Sequence, residues 1–126
     1  MKKKIITAIS APAPIGPYSQ AVMAGKLLFV SGQIAINSVT GQLVTADIET
    51  ETRQVMQNIQ AILIEAGLNF EDIIKTTIFL KDMNNFVKVN EVYGSYFSKD
   101  FPARETVEVS RLPKDVNVEI SVVAAE

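Results

Sequence analysis

Residues 27–36, LLFVSGQIAI, begin with four apolar side chains in a row. In an extended strand neighbouring side chains point to opposite faces, so this segment must be covered on both. A single layer of helices covers only one face of a sheet, and the second cover has to come from somewhere else. Close by, residues 55–66 carry Val55, Ile59, Ile62, Leu63 and Ala66 at a 3.6-residue spacing, the stripe of an amphipathic helix. Asp47 or Thr50 is placed to cap its start, and Gly67 stands in the usual position just past its end. Chains of this kind build helix-on-sheet layers.

The remaining segments fill in the order. Lys4-Ile5-Ile6-Thr7 is strand-like. Three prolines in Ala11-Pro12-Ala13-Pro14-Ile15-Gly16-Pro17 then exclude regular structure, because each lacks an N–H donor. Tyr18–Ala24 and Lys26–Ile36 read as strands about the turn at Ala24-Gly25, and Asn37–Gly41 as a loop. Ile73–Leu80 is a strand rich in Ile and Thr. A second helix starts near Asp82 or Asn84 and buries Phe86, Val89, Tyr93, Tyr96 and Phe97. Gly94 weakens it by about 1 kcal/mol relative to Ala, which suits a close backbone approach. Strands over 105–111 and 116–124 close the chain. The order β-β-β-α-β-α-β-β describes one α+β domain, residues 1–126, with two helices on one face of a mixed sheet. On the other face Asn117, Glu119, Ser121 and Val123 share one parity, a mixture of polar and apolar groups that suits burial against other subunits.

Composition removes several kinds of chemistry. The 126 residues contain no cysteine and no histidine. Thiolate nucleophiles, disulfides, imidazole bases and the commonest zinc ligands are therefore excluded. Catalysis must rest on Asp, Glu, Tyr, Lys, Arg, hydroxyls and backbone amides. A net charge of −2 argues against nucleic acid as a partner. The one basic run, Lys2-Lys3-Lys4, reads as a solvated terminus. No apolar run reaches the roughly 18–20 residues of a membrane span, and the prolines interrupt any signal-peptide core. A cytoplasmic protein without metal or cofactor is expected.

Two ionisable residues sit awkwardly in the last strands. Arg104 follows Phe101-Pro102-Ala103 at the mouth of a strand, and Glu119 interrupts the apolar alternation of residues 116–122. Arg104 either reaches solvent or pairs with Glu105 or Glu108, or it offers a rigid guanidinium fork to a carboxylate. Glu119 is either an exposed sheet-face carboxylate or a partly buried one that orients water and carries a proton. Tyr18, presented by the proline loop, is a rim aromatic or a ligand-facing phenol. In the Ser31-Gly32 pair, a glycine inside a strong strand marks a close approach by a ligand or another backbone. Asn90 offers an amide from the second helix, or is simply solvated.

The segments APIGPYSQA, FVSGQI, VNEVYGSYF and PARETVEVSRLPKDVNVEI, taken in order, closely resemble the reactive-intermediate deaminase (Rid, YjgF-like) family over essentially the whole chain. The resemblance implies a chorismate-mutase-like fold and a homotrimer with ligand clefts between subunits. It also implies hydrolysis of 2-imino acids and 2-aminoacrylate-type enamines, released by PLP-dependent dehydratases, to 2-keto acids and ammonia. Carried over by position, Arg104 binds the substrate carboxylate and Glu119 orients the attacking water. Tyr18, Ser31, Gly32 and Asn90 line the cleft. Thr106 stands where many members have cysteine; that position is expected to act through its main chain, so activity survives while thiol-dependent functions do not. An imine carbon is already electrophilic, and its hydrolysis needs only an anchor, a positioned water and a proton carrier. Two other readings use the same residues or the same resemblance. One is a non-catalytic regulator that binds keto or imino acids. The other is a ribonuclease or translation inhibitor, which the acidic charge and the missing histidine disfavour.

Overall fold

The computed structural model describes residues 2–126. Six strands form one sheet in the order β1-β2-β3-β6-β4-β5: β1 Lys3–Ile6, β2 Ala21–Ala24, β3 Leu27–Gln33, β4 Ile73–Leu80, β5 Ala103–Glu108 and β6 Val118–Ala125. Helices α1, Ile48–Glu65, and α2, Phe86–Gly94, complete the α+β domain. All neighbouring pairs are antiparallel except β4–β5. A parallel pair needs a crossover connection, and α2 supplies it.

Alternation decides which face meets the helices. Val118, Ile120, Val122 and Ala124 of β6 are buried, as are Thr76, Ile78 and Leu80 of β4 and Leu28 and Val30 of β3. Val55, Met56, Ile59, Ile62 and Leu63 of α1 close over them in one core. Asp47 caps α1 by accepting from the Thr50 amide at 2.7 Å, and Gly67 takes the left-handed φ of +78° that ends it. Among the described residues no helix covers the opposite face of the sheet. Phe29 is 46% exposed there and Val107 41%. The double-sided apolarity of residues 27–30 is thus half satisfied, with the other half left open.

Several boundaries differ from the sequence reading. β5 covers Ala103–Glu108 rather than 105–111, because it pairs with β4 as soon as Pro102 is passed and ends where β4 ends. Arg104 therefore lies inside the strand and not at its mouth. β2 starts only at Ala21; at Gln20 the carbonyl still accepts from the Ser31 amide at 2.9 Å, while the side chain pins the proline loop. β3 stops at Gln33, beyond a register shift, and Asn58 of α1 donates to the carbonyls of Ile34 and Ile36 in place of a strand partner. α2 ends at Gly94, so Tyr96 and Phe97 lie beyond it. They still reach the core, with ring centroids 5.1 and 5.8 Å from that of Phe70. Among the described residues nothing approaches Gly94 closely, for a Cβ added there would meet nothing within 4 Å.

Candidate functional site

Two concave regions receive the residues singled out by sequence, and they divide them. The first is a cavity of about 390 Å³ lined by Tyr18, Ser31, Gly32 and Glu119, with Pro12, Ala13, Ile15, Ile34, Ile36 and Pro113 as apolar walls. Gln20 builds its rim. Buried at 2% exposure, it accepts from the Ala8 amide at 2.6 Å and donates to the carbonyls of Ala8, Ala11 and Pro12. One side-chain amide thus fixes the proline loop that presents Tyr18. The Ser31 hydroxyl donates to the Ser19 carbonyl at 2.6 Å, tying β3 to that loop, so this hydroxyl already has a partner.

Glu119 enters the cavity from the open face of β6. Burial raises its carboxyl pKa above the ordinary value, and no hydrogen bond or neighbouring charge among the described residues offsets this. Gly32 makes room for it. A Cβ on residue 32 would lie 2.8 Å from Glu119 Cδ and 3.1 Å from Cγ, and would overlap the carboxylate itself. The mid-strand glycine does mark a close approach, but what approaches is the Glu119 side chain of the same chain and not a ligand or another backbone.

The second concavity, about 480 Å³, is lined by Asn90, Tyr93, Gly94, Phe101, Pro102 and Arg104. Arg104 pairs with Thr76 on β4, and directly paired residues share a face, so its side chain leaves on the helix side. There Nη1 donates to Asn90 Oδ1, and the guanidinium carbon lies 5.3 and 5.6 Å from the ring centroids of Tyr93 and Phe86. Such stacking holds the fork flat. Tyr93 is itself held, donating to Thr76 Oγ1 at 3.0 Å, and its burial raises the phenol pKa. Arg104 is exposed, as the solvent-reaching alternative expects, but it pairs with neither candidate carboxylate: Glu105 pairs with Lys75 at 3.0 Å and Glu108 accepts from the Met83 amide.

Thr106 lies on β5 opposite Ile78, with its hydroxyl buried and without a hydrogen-bond partner; it lines neither cavity. Gln20 and the apolar walls escaped the sequence reading, as did a carboxylate described below. Among the described residues no group of three or more acidic side chains could hold a metal ion, and no helix is long and apolar enough to cross a membrane.

Within one chain Arg104 and Glu119 do not meet. Glu119 pairs with Phe79 and projects from the open face, opposite to Arg104. Fold and cavities together define a small α+β domain with a carboxylate-bearing pocket on one face and an anchored guanidinium on the other. The chain belongs to the Rid (YjgF-like) family, whose model, described as endoribonuclease L-PSP, matches residues 8–126. A RutC family protein of Pyrococcus horikoshii is 57% identical over 122 residues, covering 97% of each chain. The crystal structure of YyfA, a Rid family protein of Yersinia pestis, is 52% identical with a TM-score of 0.97, covering 99% of this chain and 100% of that one. That of Escherichia coli TdcF with bound serine is 44% identical with a TM-score of 0.94, covering 98% of both chains.

Proposed function

We propose that the protein hydrolyses 2-imino acids and their 2-aminoacrylate-type enamine tautomers to 2-keto acids and ammonia. The observation that carries this reading is that one chain bears both a burial-raised carboxyl, Glu119, and, on the opposite face, a guanidinium held flat by Asn90, Tyr93 and Phe86. Arg104 anchors the substrate carboxylate through the donors that Asn90 leaves free. Glu119 takes a proton from water as the water oxygen bonds to the imine carbon, and passes it to the imine nitrogen to give a carbinolamine. It then takes the carbinolamine hydroxyl proton and delivers it to nitrogen as the C–N bond breaks, so that ammonia departs and the carbonyl forms. A carboxyl raised above its usual range is better matched to such transfers near neutral pH than an ordinary one.

Because the two groups leave opposite faces, this chemistry requires a second copy of the chain. A ring of three presents Arg104 of one copy to Glu119 of the next and covers Phe29 and Val107. The resemblance implies the same arrangement. A second reading, a regulator that binds amino- or keto-acid ligands without turning them over, draws on the serine bound to TdcF. Turnover separates the two. 2-Aminoacrylate generated from serine by a PLP-dependent dehydratase and trapped with semicarbazide should disappear faster in the presence of the protein. No acceleration, with 2-keto acid still bound, leaves the binder.

A further inference from the structure

Glu51 lies in the first turns of α1 and is completely buried, yet it belongs to neither cavity. Its carboxylate reaches the start of β6. Oε2 accepts from the backbone amides of Asn117 at 2.8 Å and Val118 at 3.3 Å, and Oε1 accepts from Asn117 Nδ2 at 2.8 Å. No salt bridge of the described residues includes it. The clamp closes two residues before Glu119. Asn117 is held from its other side as well, its carbonyl accepting from the Lys81 amide at 3.0 Å.

Immediately upstream the chain is strained. Lys114 and Asp115 both adopt left-handed φ values, 55° and 56°, although neither is glycine. Consecutive positions of this kind persist only where the surroundings hold them. Pro113 of the same turn is a wall of the Glu119 cavity. Among the described residues the Glu119 side chain has no hydrogen-bond partner to hold it. Its location therefore depends on the β6 backbone on one side and on the missing Cβ of Gly32 on the other.

We propose that Glu51 is a positioning residue, fixing the start of β6 so that the Glu119 carboxylate stands in its half-buried place against Gly32. It acts through length and hydrogen bonding, not through charge. This inference rests on the reading of Glu119 as proton carrier only for its kinetic consequence. Its structural part does not depend on turnover.

Two substitutions separate geometry from charge. Glu51→Gln removes the charge but keeps the reach, and turning the Asn117 side-chain amide over restores all three hydrogen bonds. Glu51→Asp keeps the charge but withdraws it by one methylene, so β6 must shift or lose its clamp. The readout is the titration of Glu119 itself, followed in the full-length protein by ¹³C NMR of its side-chain carboxyl. Among the described residues Tyr18 is the only other titratable group lining that cavity. Glu51→Gln should titrate as wild type. In Glu51→Asp the Glu119 pKa should fall back toward the ordinary carboxylate range, and kcat should fall by about tenfold to a hundredfold with KM little changed. Should Glu51→Asp not fold, Glu51→Met, of similar reach but without an acceptor, carries the same test. The reverse order, Asp like wild type and Gln impaired, overturns the proposal, and so does an unmoved Glu119 titration in every variant. Wild type with a raised Glu119 pKa but no imine hydrolysis would sink the proposed activity and leave the positioning role standing.

Discussion

Gly32→Ala should separate stability from activity more cleanly than any other single change. The added Cβ lies 2.8 Å from Glu119 Cδ and overlaps the carboxylate, so Glu119 must turn away. Residue 32 has no positive φ among the glycines that do, so alanine meets no backbone strain there. Replacing glycine inside a strand gains about 0.5–1 kcal/mol. Forcing the flexible end of a half-buried glutamate off its preferred rotamer costs about 0.5–1.5 kcal/mol. The two nearly cancel, leaving a net change within about 1 kcal/mol, or a few degrees in Tm. Activity has no such compensation, because displacing a reacting group by about 1 Å costs on the order of 10²-fold. The assays are thermal melting and the semicarbazide-trapped imine assay on the same preparation. Wild-type turnover in Gly32→Ala would refute the assignment of Glu119's place against residue 32. A melting point lowered by more than about 10 °C would show instead that Gly32 is a packing requirement of the sheet.

Other changes test the remaining residues. Arg104→Lys keeps the charge but loses the planar fork and its stacking. Pyruvate affinity measured by calorimetry should fall by about 1.5–3 kcal/mol, the range for a hydrogen bond to a charged group. Thr106→Val removes a buried hydroxyl that has no partner, so urea unfolding should show a gain of about 1 kcal/mol with turnover unchanged. Glu119→Gln links stability to pH. A carboxyl raised by burial contributes most below its unfolded pKa and loses that contribution as pH rises through the folded value. The Gln variant should therefore melt above wild type at neutral pH, with the difference closing below about pH 4.

Local signals in the sequence correspond closely to the structure. Helix α1 follows its apolar stripe from the Asp47 cap to Gly67, and Gly32 flags a close approach before any partner is known. Hydrogen bonds between distant residues leave no such mark. Gln20 reaches Ala8 across 12 positions and Glu51 reaches Asn117 across 66, so neither periodicity nor composition points to them. Register is hidden for the same reason. That Arg104 and Glu119 leave opposite faces follows from the pairing of β5 with β4 and of β4 with β6, and neither strand alone carries it. Tyr96 and Phe97 extend the apolar pattern of α2 past its end because they pack on Phe70 from a turn, which the helical spacing imitates.

The central claim is that imine hydrolysis occurs at a site assembled from Arg104 of one copy and Glu119 of another. Mixing the inactive variants Arg104→Ala and Glu119→Gln tests it directly. The two are unfolded together in equal amounts and refolded, and light scattering checks that assemblies near three times the 13.8 kDa chain re-form. If the site is shared, random assembly places both intact residues at about one quarter of the head-to-tail interfaces, and turnover should return to about a quarter of wild type. Mixed assemblies that form but hydrolyse no more imine than either variant alone would contradict the account.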